Sequence, residues 1–526
     1  MKTIVQTAIL IWLFLHSDLH AQSGTLDEGF GDEGVVTYRD VSYRSEIRSI
    51  MLLDGGNIIT SGHRQNGFGS QLQMLGYHPN GLINESFGGD NLFGNPTWGY
   101  PGIVNTDFSQ LEWEHVTSST MQADGKIVVG GYAGINFDFL VARYKADGSV
   151  DSTFNTIGYF SIDEGGFEKI ESVAITPNNQ ILVSGTANNQ IVVMRYLENG
   201  STDNNFGIDG RITIGSQGLN GGHMALDESG KIYVCGTFSS GGNYHNVVAR
   251  IHENGILDMS FGSGGIAEIP VNEFPSSLIK IALHPSGKPI IVANDLSNMG
   301  NNSGLWISRL NVNGSLDMGF GNQGIATKAV GDFISPHDFT IQHNGKIIIT
   351  GRLADQGVSD VFVAKFYGNG EIDTDFGTNG IAISGNATDL NSNSAHGYAV
   401  RLQPDGNILV GGFLKEVGIH KTALWRFNNQ VDSTYSSTSS DTIPQNQLKT
   451  YPNPFSNSIT ITFNAGQWNK LQLIEINGRT IFESKIDRSQ EKIVIDQITT
   501  INTILCCRLI GPSGFQSTMI IQHPDQ

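Results

Sequence analysis

An eleven-residue motif, Gly-x-hydrophobic-Asp-x-x-Phe-Gly-x-x-Gly, recurs along this chain and limits what it can fold into. It reads GTLDEGFGDEG from Gly24, GSTDNNFGIDG from Gly200, GILDMSFGSGG from Gly255, GSLDMGFGNQG from Gly314 and GEIDTDFGTNG from Gly370. Degenerate copies start at Gly81 and Gly148, and a truncated one, VDSTY, ends at Tyr435. The motif aromatics are Phe30, Phe87, Phe154, Phe206, Phe261, Phe320 and Phe376. From Phe30 to Tyr435 is 435 − 30 = 405 residues, about 58 per unit over seven units. Such a period means that one supersecondary unit is repeated and that neighbouring copies bury one another's flanks.

Each unit has the same internal order. A short run such as Arg211-Ile-Thr-Ile214 comes first, then a strand ending in a tight turn, as in Met121-Gln-Ala-Asp-Gly-Lys126. A β-branched strand closed by glycines follows, such as Ile127-Val-Val129, and a last strand, such as Leu140-Val-Ala-Arg-Tyr144, leads into the next motif. Asp-Gly and Asn-Gly pairs supply the positive φ that hairpins need. Four short antiparallel strands per unit without helical periodicity predict a seven-bladed β-propeller, with a β-solenoid or a row of small sandwiches as the competing architecture. The chain opens with the motif and its short strand, whereas the last unit stops at VDSTY. A ring closed by exchange follows: Val35-Val-Thr-Tyr38 becomes the outer strand of the blade holding Ile408 and Trp425, which protects a sheet edge.

These motifs resemble the delta-60 repeat family, propeller-like repeats of secreted bacterial proteins. The resemblance covers residues 24–435 and implies the fold but no particular chemistry.

Comparing repeats within the chain suggests a contact. The last strand of most units carries a base eight positions before the motif acid: Arg143 with Asp151, Arg195 with Asp203, Arg250 with Asp258, Arg309 with Asp317, and Lys365 with Asp373. Where the base is replaced by Gly76, the acid is replaced by Asn84. A structural ion pair in each unit is the reading, bidentate where the base is Arg; a ring of ligand-binding charges is the alternative.

The address is read from the two ends. Residues 1–21 have the form of a secretory signal, with Lys2, an apolar core from Ile4 to Phe14, and Leu19 and Ala21 before a cut at Gln22. That core is too short to span a bilayer, and no later segment approaches 18 apolar residues, so no transmembrane segment is expected in the mature chain. The net charge of −19, with 50 acidic against 31 basic residues, argues against nucleic acid. Cys506 and Cys507 are adjacent and Cys235 stands alone, so packing rather than a disulfide framework must stabilise the fold.

After a Ser/Thr-rich linker at 436–450 comes Tyr451-Pro-Asn-Pro-Phe455 and a series of alternating strands, read as a small Ig-like β-sandwich over 451–526. YPNPFSNSITI and Leu471-Gln-Leu-Ile-Glu-Ile-Asn-Gly-Arg479 resemble the C-terminal sorting domain of type IX secretion cargo. The resemblance implies the type IX secretion machinery as a partner, export across the outer membrane, removal of this domain, and a secreted or cell-surface product. Family members usually carry Gly-x-Tyr before the last hairpin and a basic residue near the end, where this chain has Ile504-Leu-Cys-Cys-Arg-Leu509 and Ser517-Thr-Met-Ile-Ile521.

Familiar chemical motifs are absent or misleading. Gly29–Gly34 and Gly319–Gly324 match G-x-G-x-x-G, but they lie inside the repeat and are followed by strand-like sequence, so no cofactor is expected. Asp373-Thr-Asp375 and Asp203-Asn-Asn205 have calcium-like spacing without the EF-hand order, and no metal site is read. The histidines His63, His115, His223, His337 and His396 are scattered, which suits surface or core positions better than a site. The second unit spans 154 − 87 = 67 residues, and its excess lies in 91–114. Trp98, Tyr100, Asp107, Glu112 and Trp113 of that stretch are the candidate ligand-binding residues, suited to a sugar or a peptide. The expected function is a non-enzymatic binding or scaffold module. The alternative is an extracellular glycan- or peptide-degrading hydrolase or lyase with its site at the propeller axis.

Overall fold

The computed structural model describes residues 23–39, 44–66, 69–88, 97–98, 101–108, 113–215, 219–240, 243–269, 277–295, 304–355, 358–385, 394–416, 418–429, 449–451, 458–462, 470–475, 480–487, 492–496, 504–511 and 514–521. The signal segment 1–21, the VDSTY copy and most of the Ser/Thr-rich stretch lie outside these residues. The chain divides into two compact units, Met1–Val431 and Asp432–Gln526.

The first unit is all-β and propeller-like, built from successive four-stranded antiparallel sheets. One comprises Arg44–Leu52, Ile58–Asn66, Gly69–Tyr77 and Ile103–Thr106, with the two-residue strand Thr97–Trp98 at its edge. Further sheets occupy residues 115–162, 169–214, 219–269 and 277–329. The eight-stranded sheet consists of two such groups, one over residues 333–383 and one over 394–427 together with Val35–Tyr38. Among the described residues these two groups are joined by a single bridge, Ser359 to Ser394.

Each sheet packs its first strand beside the first strand of the next. Ser394–Leu402 in turn packs beside Arg44–Leu52, so the first strands close a circle. The core lies between neighbouring sheets. Ile290, Val292, Leu305 and Ile307 of one sheet meet Ile334, Ile347, Ile349 and Phe362 of the next, all fully buried. This is why the second and third strands are runs of Val and Ile rather than alternating patterns: both faces are covered. The motif phenylalanines lie at the same seams, and Phe30, Phe154, Phe206, Phe261, Phe320 and Phe376 are each 0 % exposed.

The circle is completed by exchange. Val35–Tyr38 pairs antiparallel with Ile419–Phe427, placing Val35 opposite Trp425 and Tyr38 opposite Thr422. It does not join the sheet around Ile58. Gly377 N donates to Ser23 O at 2.9 Å, which repeats across the closure the link made elsewhere by Gly262 N to Asn313 O and Gly321 N to Asn369 O, and Gly24 N donates to Asn428 O at 2.7 Å as Gly314 N does to Asn311 O.

A bulge recurs at the same place in every first strand and shapes the site below. The extra, unpaired residues are Arg48, Thr117, Glu171, Gly222, Ile279, His337 and Tyr398. Its cause is steric. The bulge presses the carbonyl of the residue two positions earlier against the second strand, where a Cβ at Gly62, Gly131, Gly185, Gly351 or Gly412 would lie about 2 Å from that oxygen. The glycines that close the second strands are therefore bulge acceptors.

The second unit contains a three-stranded sheet, Lys449–Tyr451, Ser458–Thr462 and Lys492–Asp496, and a four-stranded one. The latter has the order Thr480–Lys485, Lys470–Glu475, Ile504–Gly511, Gly514–Ile521. Ile461 of the first sheet and Leu471 and Leu473 of the second are fully buried. Among the described residues of the chain, no helix is long and apolar enough to cross a membrane.

Candidate functional site

The charged residues of the repeat form a latch at the seams. Nε of Arg143, Arg195 and Arg250 stands 2.8 Å from Oδ2 of Asp151, Asp203 and Asp258, and Arg309 Nε stands 2.6 Å from Asp317. Each guanidinium also covers its motif phenylalanine, 4.7–4.9 Å from the ring centre. Its Nη1 donates to a turn carbonyl of the following unit: Glu198 O, Glu253 O, Val312 O or Gly368 O. One side chain thus binds its own motif and the next unit. Asp203, Asp258 and Asp317 receive a second donor from the start of a neighbouring strand, through Gln180, Lys231 and Lys288. Burial alone would raise the Asp258 carboxyl, but Ser260, Lys231 and Arg250 outweigh it and hold the group well below the usual carboxylate range.

The remaining pairs vary. Lys365 lies 3.6 Å from Asp373 and donates instead to Asn429 at 2.7 Å, while Lys346 binds Asp373 at 3.0 Å. Arg426 pairs with Asp27 at 2.7 Å, stands over Phe30 at 4.5 Å and donates to Pro79 O. In the unit without charges, the Phe87 side chain lies so close to Gly76 that a Cβ there would fall 2.7 Å from its Cβ and 2.9 Å from its ring. The calcium-like spacings are thus explained for Asp203 and Asp373, both of which bind basic side chains.

A second cluster gathers around the bulges of the first strands. Arg48 lies over the Tyr398 ring at 3.9 Å and bonds Glu46 through Nε at 2.6 Å. Glu46 Oε1 is 3.2 Å from His63 Nε2, which is itself 3.2 Å from His115 Nδ1. His115 stacks on Tyr132 at 4.8 Å. On the neighbouring first strands, His337 packs on Tyr398 at 4.9 Å and His396 on Phe413 at 4.6 Å. Lys169 and His223 flank Glu171 at 2.8 and 3.7 Å, and Lys280 and Arg401 hold Asp338 at 2.8 and 3.2 Å. The histidines occupy buried or half-buried positions, as expected, and strands far apart in sequence bring His63 to His115 and His337 to within 6.4 Å of His396.

Burial lowers all of these imidazoles. His63, His115, His223 and His396 fall to about 3, helped respectively by Arg48, His63, Lys280 and Arg352. His337 falls to about 4, with Arg48, Arg352 and Lys280 adding to burial. Its Nδ1 donates to Gly397 O at 2.8 Å, which leaves Nε2 as the acceptor. Burial lifts the Tyr398 phenol to about 12, and Glu46 adds to this while Arg48 opposes it. Burial also raises Glu171, against the pull of Lys169, Lys280 and Arg48. Groups from several sheets therefore sense one another. Five bases, Arg48, Lys169, Lys280, Arg352 and Arg401, face three acids, Glu46, Glu171 and Asp338, so this cluster carries positive charge in an acidic chain.

Of the candidate ligand-binding residues, Trp98, Asp107 and Trp113 are among the described ones. Trp113, at φ 65°, is half-buried and lies two residues before His115. Asp107 accepts a hydrogen bond from Gln71 at 2.8 Å, and Phe108 is buried against Tyr159. Trp98 contributes its backbone to the edge strand opposite Asn105, while Tyr100 and Glu112 lie outside the described residues.

Sequence comparison agrees with the repeat geometry. Residues 122–154, 176–206, 228–261 and 342–376 match the family described as "Domain of unknown function (DUF5122) beta-propeller". These four stretches are DUF5122 repeat matches. Residues 449–500 match the secretion system C-terminal sorting domain, which indicates a secreted or cell-surface protein. No curated protein matches the chain. Among solved structures it is similar to a virginiamycin B lyase from Staphylococcus aureus, crystallised with quinupristin, at 12% identity and a TM-score of 0.42 over 74% of this chain and 98% of that one. It is also similar to YCF48 bound to D1 peptide, at 11% identity and a TM-score of 0.42 over 79% and 100% of the two chains. For the polysaccharide lyase Uly1 the values are 10% identity and 0.37 over 78% and 93%.

Proposed function

We propose that this protein is a seven-bladed propeller, exported through its C-terminal sorting domain, that binds an anionic extracellular glycan or peptide at the bulges of its first strands. One observation carries the reading. Positions that serve only the fold repeat their residue, as the motif phenylalanine does, whereas the equivalent bulge positions hold Arg48, Thr117, Glu171, Gly222, Ile279, His337 and Tyr398. Equivalent backbone with different chemistry is what a ligand site on a repeat scaffold requires. Arg48, Lys169, Lys280, Arg352 and Arg401 supply the positive charge for a carboxylate, and Tyr132, Tyr398 and Phe413 supply apolar faces. In this reading Asp107 and Trp113, the latter two residues before His115, serve the same ligand, and Trp98, Tyr100 and Glu112 are proposed as further contacts on the sequence pattern alone.

The test is an array of acidic and neutral glycans and peptides probed with the mature chain. Binding confined to carboxylate-bearing members and weakened by salt is expected. Equal binding to neutral members, or none to either class, would refute it.

A second reading is a lyase acting on the same ligand class. Its support is the neutral His337, with Nε2 as acceptor, beside the Tyr398 hydroxyl and the Arg48 charge. A base next to a guanidinium that neutralises a carboxylate suits removal of the proton α to that carboxylate. Incubation with acidic polysaccharides, followed by ultraviolet detection of unsaturated uronates, separates catalysis from binding alone.

A further inference from the structure

Away from the latch and the bulge cluster, three acids converge at the seam between the sheets of residues 115–162 and 169–214. Asp138 begins the strand Asp138–Tyr144, and Asp163 and Glu168 bound the loop that leads into Lys169–Ile175. One carboxylate oxygen of each lies within 4.8 Å of the others. The decisive group is Glu168. Its side chain is 0 % exposed, and neither Oε1 nor Oε2 has a hydrogen-bond partner. Asp138 Oδ1 is likewise buried without one.

A buried carboxylate without a donor is costly, and two more acids beside it add repulsion. The Gly166 and Glu164 amides pull the other way, but burial, Asp138 and Asp163 prevail and raise the Glu168 carboxyl, and no cationic side chain is among the groups acting on it. Arg211, the neighbouring base, pairs with Glu164. The loop is nevertheless well anchored. Glu168 N donates to Phe137 O at 3.1 Å, Gly165 N donates to Asp163 Oδ1 at 2.7 Å, and Asn188 Nδ2 donates to Glu164 O at 2.7 Å. Phe137 and Phe167 pack ring against ring at 4.9 Å. A fixed loop that aims an unpartnered carboxylate at two others lacks only a positive charge.

We propose that Asp138, Asp163 and Glu168 form a calcium site. All the donors are oxygen, which suits a hard cation, and three carboxylates offer up to six oxygens, within the six to eight that calcium takes with water completing the shell. Magnesium demands a tighter octahedron and keeps most of its waters, which fits a buried Glu168 poorly. Asp163 is exposed and opens the route for the ion. Outside the cell calcium is available to sites with dissociation constants of about 10⁻⁴–10⁻³ M. Bound there, it ties Asp138 of one sheet to the loop that positions Lys169 and Glu171 in the next. The proposal does not depend on the ligand reading above.

The experiment uses the mature chain stripped with chelator and then titrated with calcium or magnesium chloride, read by thermal unfolding and by calorimetry. Calcium should raise the melting temperature by roughly 2–5 °C and give a saturable heat, with magnesium at least about 10-fold weaker. In Glu168→Gln the chelated protein should melt no lower than the chelated parent, and the calcium response should vanish. If that variant does not fold, Asp163→Asn, at an exposed position, should weaken calcium binding about 10-fold or more. No response of the parent to millimolar calcium, or an undiminished response in either folded variant, overturns the site and leaves a proton shared among the three acids as the way they coexist.

Discussion

Arg426 Nε and Asp27 Oδ2 lie 2.7 Å apart although 399 residues separate them in the chain. The pair reproduces the latch of the internal repeats from two halves supplied by opposite ends of the first unit. Asp27→Ala removes the acceptor while leaving the strand Val35–Tyr38 intact. The expected loss is about 1–3 kcal/mol, the cost of leaving a part-buried charged donor unsatisfied. Urea unfolding of the mature chain reads it, and wild-type stability would show that the exchanged strand closes the circle without the latch.

The internal latch should matter more. Asp258 is 3% exposed and serves Arg250 and Lys231 together. Asp258→Ala strands two cations at a seam and is expected to cost about 3–5 kcal/mol. Asp258→Asn, which keeps shape and one acceptor, should fall between the two. An unchanged melting temperature in the alanine variant would remove the latch from the account of stability.

Gly76 offers the opposite test. A methyl group there would meet the Phe87 side chain at 2.7 Å. Gly76→Ala should therefore destabilise by about 1–3 kcal/mol through overpacking, although alanine normally suits a strand better than glycine. Chemical denaturation decides the sign, and a stabilised variant would mean that Phe87 moves freely.

Acid should weaken the fold through the imidazoles. His63, His115, His223 and His396 are lowered to about 3 and His337 to about 4 in the folded state, against 6.5 for the ordinary group. Between these values the unfolded chain binds more protons, so stability is complete above about pH 6.5 and declines as the pH falls toward 4 and below. Melting temperature against pH should bend near 6.5, and His63→Gln should soften the bend. A flat profile from pH 7 to 4.5 would contradict the burial of these rings.

For the proposed ligand site, Arg48→Ala should reduce binding about 10–100-fold, the usual worth of a charged hydrogen bond, with little change in unfolding midpoint. Glycan-binding affinity measured by calorimetry is the readout, and an unchanged affinity would place the ligand elsewhere.

Much of the fold was legible because its signals are local. Arg143 and Asp151 are eight residues apart across one strand end and turn, so a fixed spacing exposes their contact. Arg426 and Asp27 escaped that rule because their units are completed from opposite ends. The trace they leave is a pair of remainders: Asp27 has no base before it, and position 434, where the acid of Arg426 should stand, is Thr434. The bulge cluster was missed because its members share no local pattern. A signal exists nonetheless, since Arg48, Thr117, Glu171, His337 and Tyr398 each precede a second-strand glycine, Gly62, Gly131, Gly185, Gly351 and Gly412, by 14 residues. Asp163 and Glu168 bound one short loop, but Asp138 reaches them only across a seam between sheets, so no sequence spacing joins the three.

The exchanged strand has a temporal consequence. During threading through a membrane, Tyr38 emerges 384 residues ahead of Thr422, against whose strand it will lie. Until then both segments keep adhesive backbone edges exposed. Any fragment ending before Phe427 is therefore expected to be sticky rather than merely short, and the finished protein becomes inert only at the moment its beginning finds its end.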